Sequence, residues 1–439
     1  MSDFFFARSL MALSLGFHIV FAALGIGMPL LMVLAEGAYL RTGQTVYLDL
    51  NKRWAKGTAI LFAVGAVSGT VLSFELGLLW PGFMAQAGAI IGMPFSLEGF
   101  AFFTEAIFLG VYLYGRSRLS PLLHWLAGVV VAVSGILSGI FVVTANAWMN
   151  APVGFKFIDG RFTAIDPVAA MLNPASLHEV LHMTLAAFVA TGFAVAAVHA
   201  FLLRRHAGSS FHRRALGLAL AVGCLSIPLQ IASGDFSARA VGRLQPVKLA
   251  AMEAHYRTLE GAPLLLGGIP DDAARTTRYA LAIPHGLSFL LADYANARVV
   301  GLEEFPSKNW PNVRLVHWSF DLMVFAGFAL LVLAGWSGWL WCRGRRPADH
   351  PWLLRSLVAA GPLGFVAIEA GWVVTEVGRQ PWIIYNVMRT ADAVTPMPGL
   401  ALPFVAFTLL YLFLAFIVCT LLRRLFLETA GVVAQPPPA

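Results

Sequence analysis

Long apolar stretches separated by charged connections dominate this chain. They recur near residues 8–36, 55–80, 95–115, 122–148, 178–203, 214–235, 315–342, 352–377 and 399–425. At about 1.5 Å of rise per residue, a helix of about 20 residues crosses the hydrocarbon core of a bilayer. The pattern therefore predicts an all-α integral membrane protein of about nine transmembrane helices. Basic residues cluster in alternate connections: Arg41 with Lys52, Arg53 and Lys56; Arg116 with Arg118; Arg204, Arg205, Arg213 and Arg214; Arg343, Arg345, Arg346 and Arg355; Arg423 with Arg424. Because basic loops favour the cytoplasmic side, the N-terminus is expected outside and the C-terminus in the cytoplasm. The segments 81–94, 149–177, 236–314 and 378–398 are then external. The expected organisation is helices 1–6 within 1–235, a loop over 236–314, helices 7–9 within 315–431, and a Pro-rich, disordered tail over 432–439.

Composition strengthens this reading. Of 439 residues, 59% are hydrophobic and 12% charged, with a mean hydropathy of +0.75, whereas soluble domains carry about 25% charged residues. The net charge of +7 lies mostly in the short connections, so it reports topology and argues against a nucleic-acid partner. Cys224, Cys342 and Cys419 lie in or beside apolar spans without CxxC spacing, so neither a disulfide framework nor a zinc ribbon is expected. The N-terminus has no basic leader or small-residue cleavage pattern, and its first apolar segment reads as a retained helix.

Ionisable groups inside apolar spans are the candidates for chemistry, since each costs about 2.5–3.5 kcal/mol to insert. Glu369 and Glu376 sit in the run Ala367–Val377, which ends in Gly378-Arg379-Gln380-Pro381-Trp382. Seven residues is close to two helical turns, so Glu369, Trp372 and Glu376 share a face. Arg379 follows Glu376 by three residues and could pair with it or anchor at the interface. Glu98 and Glu105 repeat the two-turn spacing, and His18 stands alone among Leu15, Phe17 and Ile19. His178-Glu179-Val180-Leu181-His182 reads formally as HExxH, a zinc-protease signature that needs a third ligand and water access. A second reading pairs His182 with a thioether from another helix at a low-spin haem, and Met323 is one candidate among many methionines. In the long loop, Lys248 to Tyr256 is expected to form a short amphipathic helix on which Lys248, Glu253 and His255 could meet a polar head group.

In order along the chain, His18 before Gly25-Ile26-Gly27-Met28, Glu98-Gly99 ahead of Phe102-Phe103 and Glu105, Ala145-Asn146-Ala147-Trp148-Met149, Asn173-Pro174 with His182, Lys248-Leu249-Ala250-Ala251 with Glu253, and Glu369-Ala370-Gly371-Trp372 leading to Gly378–Trp382 resemble subunit I of the cytochrome bd-type quinol oxidases. The resemblance covers nearly the whole chain. It implies a low-spin haem b, a high-spin haem b and a chlorin haem d that some members replace by haem b. His182 and Met323 would then hold the low-spin haem. His18 would serve one high-spin haem and Glu376 the other, with Trp372 and Arg379 beside it. Glu98 would lie at the oxygen site, Glu105 with Ser138 would relay cytoplasmic protons, and Lys248 with Glu253 would bind quinol. The implied activity is quinol oxidation outside and oxygen reduction to water, building proton-motive force without pumping, in the inner membrane of a bacterium. Implied partners are quinol, oxygen, the surrounding lipid, a second large subunit and a small single-helix subunit. Three features depart from the family pattern: the spacing from Glu98 to Glu105 is one residue shorter, His178 matches no family ligand, and the 236–314 loop is of the short type. A proton-coupled transporter and an intramembrane zinc protease are the alternative functions.

Overall fold

The structure, a computed structural model, describes residues 2–432. Apart from Val432, the expected disordered tail lies outside these residues. Nine stretches among the described residues are long and apolar enough to span a membrane. They comprise α1 (Asp3–Thr42), α2 (Thr45–Leu79), α3 (Pro81–Tyr114), α4 (Pro121–Asn150), α5 (Ser176–Arg205) and α6 (Ser210–Leu244). After the short α7 (Pro246–Met252) come α8 (Val313–Cys342), the split pair α9 (Pro351–Ala360) and α10 (Leu363–Gly378), and α11 (Ala401–Val432).

Helix ends follow local chemistry. Ser2, Ser120, Ser209 and Asn312 each accept an N–H from three residues ahead, satisfying amides that have no partner within a helix. Pro121 adds a first-turn proline, and Gly43, at φ 68°, closes α1 in a left-handed cap. At Gly361-Pro362 the eighth span breaks, because proline offers no N–H and crowds the preceding turn. Gly361 also lies against α5, where an added Cβ would stand 2.7 Å from Ala197 Cβ.

One expectation is corrected. Residues 81–94 are not a connection but the first turns of α3, so that Trp80 alone joins α2 to α3. Pro81 is tolerated because it occupies the first turn of the helix. The gap between apolar windows is a dip in hydropathy, not a break in the helix.

At one end of the bundle the connections are short, over 43–44, 115–120, 206–209 and 343–350; at the other lie 151–175, 245–312 and 379–400. Helices pack through small residues, as expected where lipid removes most of the hydrophobic drive between them. Ala190, Ala196, Ala200, Ala215 and Ala219 are buried between α5 and α6 and their neighbours, and a Cβ on Gly192 would stand 2.7 Å from Gly223 N. Large apolar side chains such as Phe100, Phe103, Leu402 and Phe416 face outward.

The 245–312 segment is anchored rather than solvated. Its helix α7 is buried, and the fully buried His317 of α8 places Nδ1 2.7 Å from Met252 O and Nε2 3.0 Å from Gly267 O. Short antiparallel pairs, Leu264–Leu266 with Leu281–Ile283 and Ile269–Asp271 with Thr276–Arg278, stiffen the rest. The amphipathic helix expected over 248–256 is therefore shorter. Lys248, Glu253 and His255 are each about 95% or more buried, not displayed on a surface.

Candidate functional site

Four groups of polar side chains lie within the bundle and at its long-loop end. The first centres on His182 of α5. Its Nδ1 lies 2.9 Å from Ser233 Oγ and its Nε2 3.1 Å from Gln230 Nε2, both on α6. Met323 of α8 faces α10, where a Cβ on Gly371 would stand 2.9 Å from its Sδ. Glycine at 371 thus lets the thioether sit against the helix backbone.

His18 of α1 heads the second. Its Nδ1 is 2.9 Å from Ser68 Oγ of α2, and a Cβ on Gly69 would stand 3.0 Å from its Cε1. One turn away, Ser14 Oγ donates to Glu75 Oε1 at 2.8 Å, while Glu75 Oε2 is buried without a protein partner. On another side of α1, Glu369 Oε2 lies 3.3 Å from the position of a Gly16 Cβ, and Glu369 Oε1 is buried and unpaired. An apolar cleft of about 500 Å³ opens beside it, lined by Val20, Leu322, Phe365, Val366 and Val373.

The third group joins residues that are far apart in sequence. Glu376 accepts from Asn146 Nδ2 at 2.7 Å and from Arg379 at 2.6 Å, so the pair anticipated from their three-residue spacing forms. Arg379, 2% exposed, also donates to Asn150 Oδ1 at 3.3 Å. The same oxygen accepts from Lys248 Nζ at 2.9 Å and from Gln245 at 3.3 Å, while Asn150 Nδ2 donates to Glu179 at 2.9 Å. Asn150 is therefore a hub between two cations and a carboxylate. Burial holds the Lys248 ammonium below its usual range. Trp372, half-buried, lies one turn before Glu376.

A fourth group runs along the α3–α4 contact. Ser138 Oγ donates to Glu98 at 3.2 Å, and both Glu105 oxygens lie 3.4 Å from the position of a Gly135 Cβ. Two turns further, Tyr112 packs on Gly128 and donates to Glu36 at 2.5 Å. Glu36 also meets His124 Nδ1 at 2.7 Å and Arg116 at 3.4 Å. Glu98, Glu105 and Tyr112 thus mark one face of α3 at two-turn intervals.

Lys248 and Glu253 point in different directions. Lys248 reaches α4, whereas Glu253 is fully enclosed near Asp321 of α8. Burial first, and then the Asp321 charge, pushes the Glu253 carboxyl up to about 8. An acid held in this way keeps its proton at neutral pH and releases it only when the surroundings change.

The residues present suit haem. Imidazoles and a thioether are donors that haem iron takes, and an apolar cleft lined in part by Glu369, whose Oε1 is buried and unpaired, lies nearby. Zinc fits less well. Glu179 is turned to Asn150 and His182 to α6, and among the described residues no three His, Cys, Asp or Glu side chains converge as metal ligands. Periodicity does not single out Glu36, Glu75, Asn146, Asn150 or Glu179. The signal for Glu36, Glu75 and Asn146 is a polar residue inside an apolar span; Asn150 stands just past the end of one, and Glu179 is visible only as part of HExxH.

The chain has known relatives over nearly its whole length. The chain is 38% identical over 416 residues, 94% of each sequence, to the putative cytochrome bd menaquinol oxidase subunit I of Bacillus subtilis (strain 168). It is 31% identical over 441 residues, covering 97% of this chain and 93% of the relative, to the cytochrome bd ubiquinol oxidase subunit 1 of the same organism. The bd oxidase structure from Geobacillus thermodenitrificans superposes with a TM-score of 0.92 at 38% identity, covering 97% of this chain and 99% of that one. The family model for cytochrome bd terminal oxidase subunit I matches residues 6–430, and the chain belongs to that family.

Proposed function

We infer that this chain is the quinol-oxidising subunit of a terminal respiratory oxidase that reduces oxygen to water, a multi-pass protein of the bacterial plasma membrane working with a second subunit. His182 and Met323 would hold a low-spin haem b. His18 and Glu376 would serve a high-spin haem b and a chlorin haem d. Bound haem supplies the redox couples that carry electrons from quinol to oxygen.

The chain's own residues orient substrates and move protons. Lys248 and Glu253 flank the quinol head group: the ammonium, fixed by Asn150, donates to one quinol oxygen, and the Glu253 carboxylate takes a proton from the other. Arg379 balances the charge of Glu376 and ties it to Asn150. On the oxygen side, Ser138 orients Glu98, and Glu105 passes protons toward it along α3. With the long-loop end outside and the basic end in the cytoplasm, quinol protons leave outward and water's protons arrive from within. That separation of charge needs no pump.

The observation that supports this reading is the continuous hydrogen-bond chain Lys248–Asn150–Arg379–Glu376, which links Lys248 to Glu376 through two residues. A reduced-minus-oxidised visible spectrum of the purified oxidase, with extracted haems identified chemically, tests it. Low-spin absorbance is expected to vanish in His182→Ala and Met323→Leu, and a band in the red reports the chlorin. A wild-type low-spin signal in both variants refutes the ligand assignment.

A further inference from the structure

His178 has no part in the function described so far, yet it lies directly behind Lys248. Its side chain is 4% exposed and neither ring nitrogen meets a protein partner. Burying an imidazole in that condition is costly unless water satisfies it. A cavity of about 10 Å³ between α4, α5 and α6 adjoins the ring, and Asn150, Glu179 and Gln245 supply its other polar walls. That volume is close to the roughly 10–15 Å³ needed to seat one water, which takes two to four polar partners. All three of those walls belong to the Lys248 network. Asn150 accepts from Lys248 Nζ at 2.9 Å and from Gln245 Nε2 at 3.3 Å, and donates to Glu179 at 2.9 Å.

We propose that His178, acting through one water held by Asn150, Glu179 and Gln245, is the proton acceptor on the Lys248 side of the quinol pocket. The proposal rests on quinol binding at Lys248. Oxidation of a quinol releases two electrons and two protons. The electrons enter the oxidase as in its ordinary turnover, and Glu253 takes one proton. The second O–H breaks toward the water, which passes a proton to a free nitrogen of His178; the imidazolium then releases it outward. Lys248, Arg243, His182 and Glu179 are the charged or titratable groups near the ring, from α7, α6 and its own helix. Two nearby cations favour rapid release. Phe236 packs edge-on at 6.4 Å and shields the other side.

Three variants of the purified oxidase test this with a reduced short-chain quinone as substrate. His178→Gln keeps hydrogen bonding but cannot accept a proton. Ala175→Val fills the cavity without removing any of its polar groups. Lys248→Met tests the quinol site itself. His178→Gln and Ala175→Val are each expected to lower kcat at least tenfold, with quinol KM within twofold and the low-spin spectrum unchanged. His178→Gln should also make the acid limb of the kcat–pH profile shallower, leaving only the rise set by Glu253. Unchanged kcat and pH profile in His178→Gln, alongside a raised KM in Lys248→Met, overturns the relay alone. Unchanged KM in Lys248→Met overturns the quinol site and the relay with it. Loss of the low-spin spectrum in both His178→Gln and Ala175→Val makes His178 a structural residue and also overturns the proposal.

Discussion

Replacing Asn150 by leucine removes the hub of the site at nearly constant volume. Its amide meets Lys248 at 2.9 Å, Arg379 at 3.3 Å and Glu179 at 2.9 Å, all charged or chargeable groups in or near the core. Hydrogen bonds to charged groups contribute about 1.5–3 kcal/mol each, which for three contacts would sum to about 4–9 kcal/mol if the surroundings were rigid. Partners relax, and removing one side of a buried charged arrangement costs about 3–5 kcal/mol. That lower range is the expected loss of stability in Asn150→Leu. Freed from its acceptor, Lys248 should also lose its alignment, and a 1.4 kcal/mol weaker hold on quinol is about tenfold in KM. Asn150→Asp keeps the acceptor oxygen for both cations but loses the donor to Glu179, and should fall between wild type and Asn150→Leu. Thermal inactivation of the detergent-purified oxidase, followed by quinol oxidation, reads both effects. An Asn150→Leu enzyme with the wild-type inactivation midpoint and KM within twofold would refute the hub.

Gly371→Ala should displace Met323 and weaken or shift the low-spin absorbance, because its Cβ would stand 2.9 Å from the sulfur; Gly25→Ala, with nothing within 4 Å, should leave the spectrum unchanged. Glu253 is raised from 4.5 to about 8 by burial and by Asp321. Its carboxylate fraction therefore grows about tenfold per pH unit below that value. Quinol oxidation measured by initial rates should rise toward pH 8, and Glu253→Gln should be slow and flat. The stability linkage has the opposite slope: the folded state keeps a proton that the unfolded chain loses, so this group's contribution is complete below about 4.5 and is lost as pH rises through about 8. Glu36→Leu leaves Tyr112, His124 and Arg116 without their common acceptor; a loss of about 3–5 kcal/mol is expected in thermal inactivation.

Much of the architecture is legible in the amino-acid sequence. Hydropathy locates the spans, since lipid demands a continuous apolar helix whatever the neighbours do. The pairing of Glu376 with Arg379 and the common face of Glu98 and Glu105 follow from helical spacing within one segment. What escapes is set by contacts between segments. Asn150 meets Lys248 across 98 residues and Arg379 across 229, and no local period encodes such a meeting. The tight α2–α3 junction escapes for a related reason. Residues 81–94 are less apolar than a span, yet the helix continues through them, so lipid-style windows see a gap where the backbone has none.

The split of the eighth span leaves α10 as a rod of only 16 residues. At Gly364 it touches Ala190 of α5, at Gly371 the Met323 sulfur, and at Gly378 the Lys248 stem, while Glu369 and Glu376 project between them. A rod this short tilts or slides as one body. A bulky substitution anywhere along it will therefore reach the thioether, both carboxylates and the lysine together. Catalytic rates of such variants will look alike, and only separate spectral and substrate-affinity readouts will tell which neighbour was displaced.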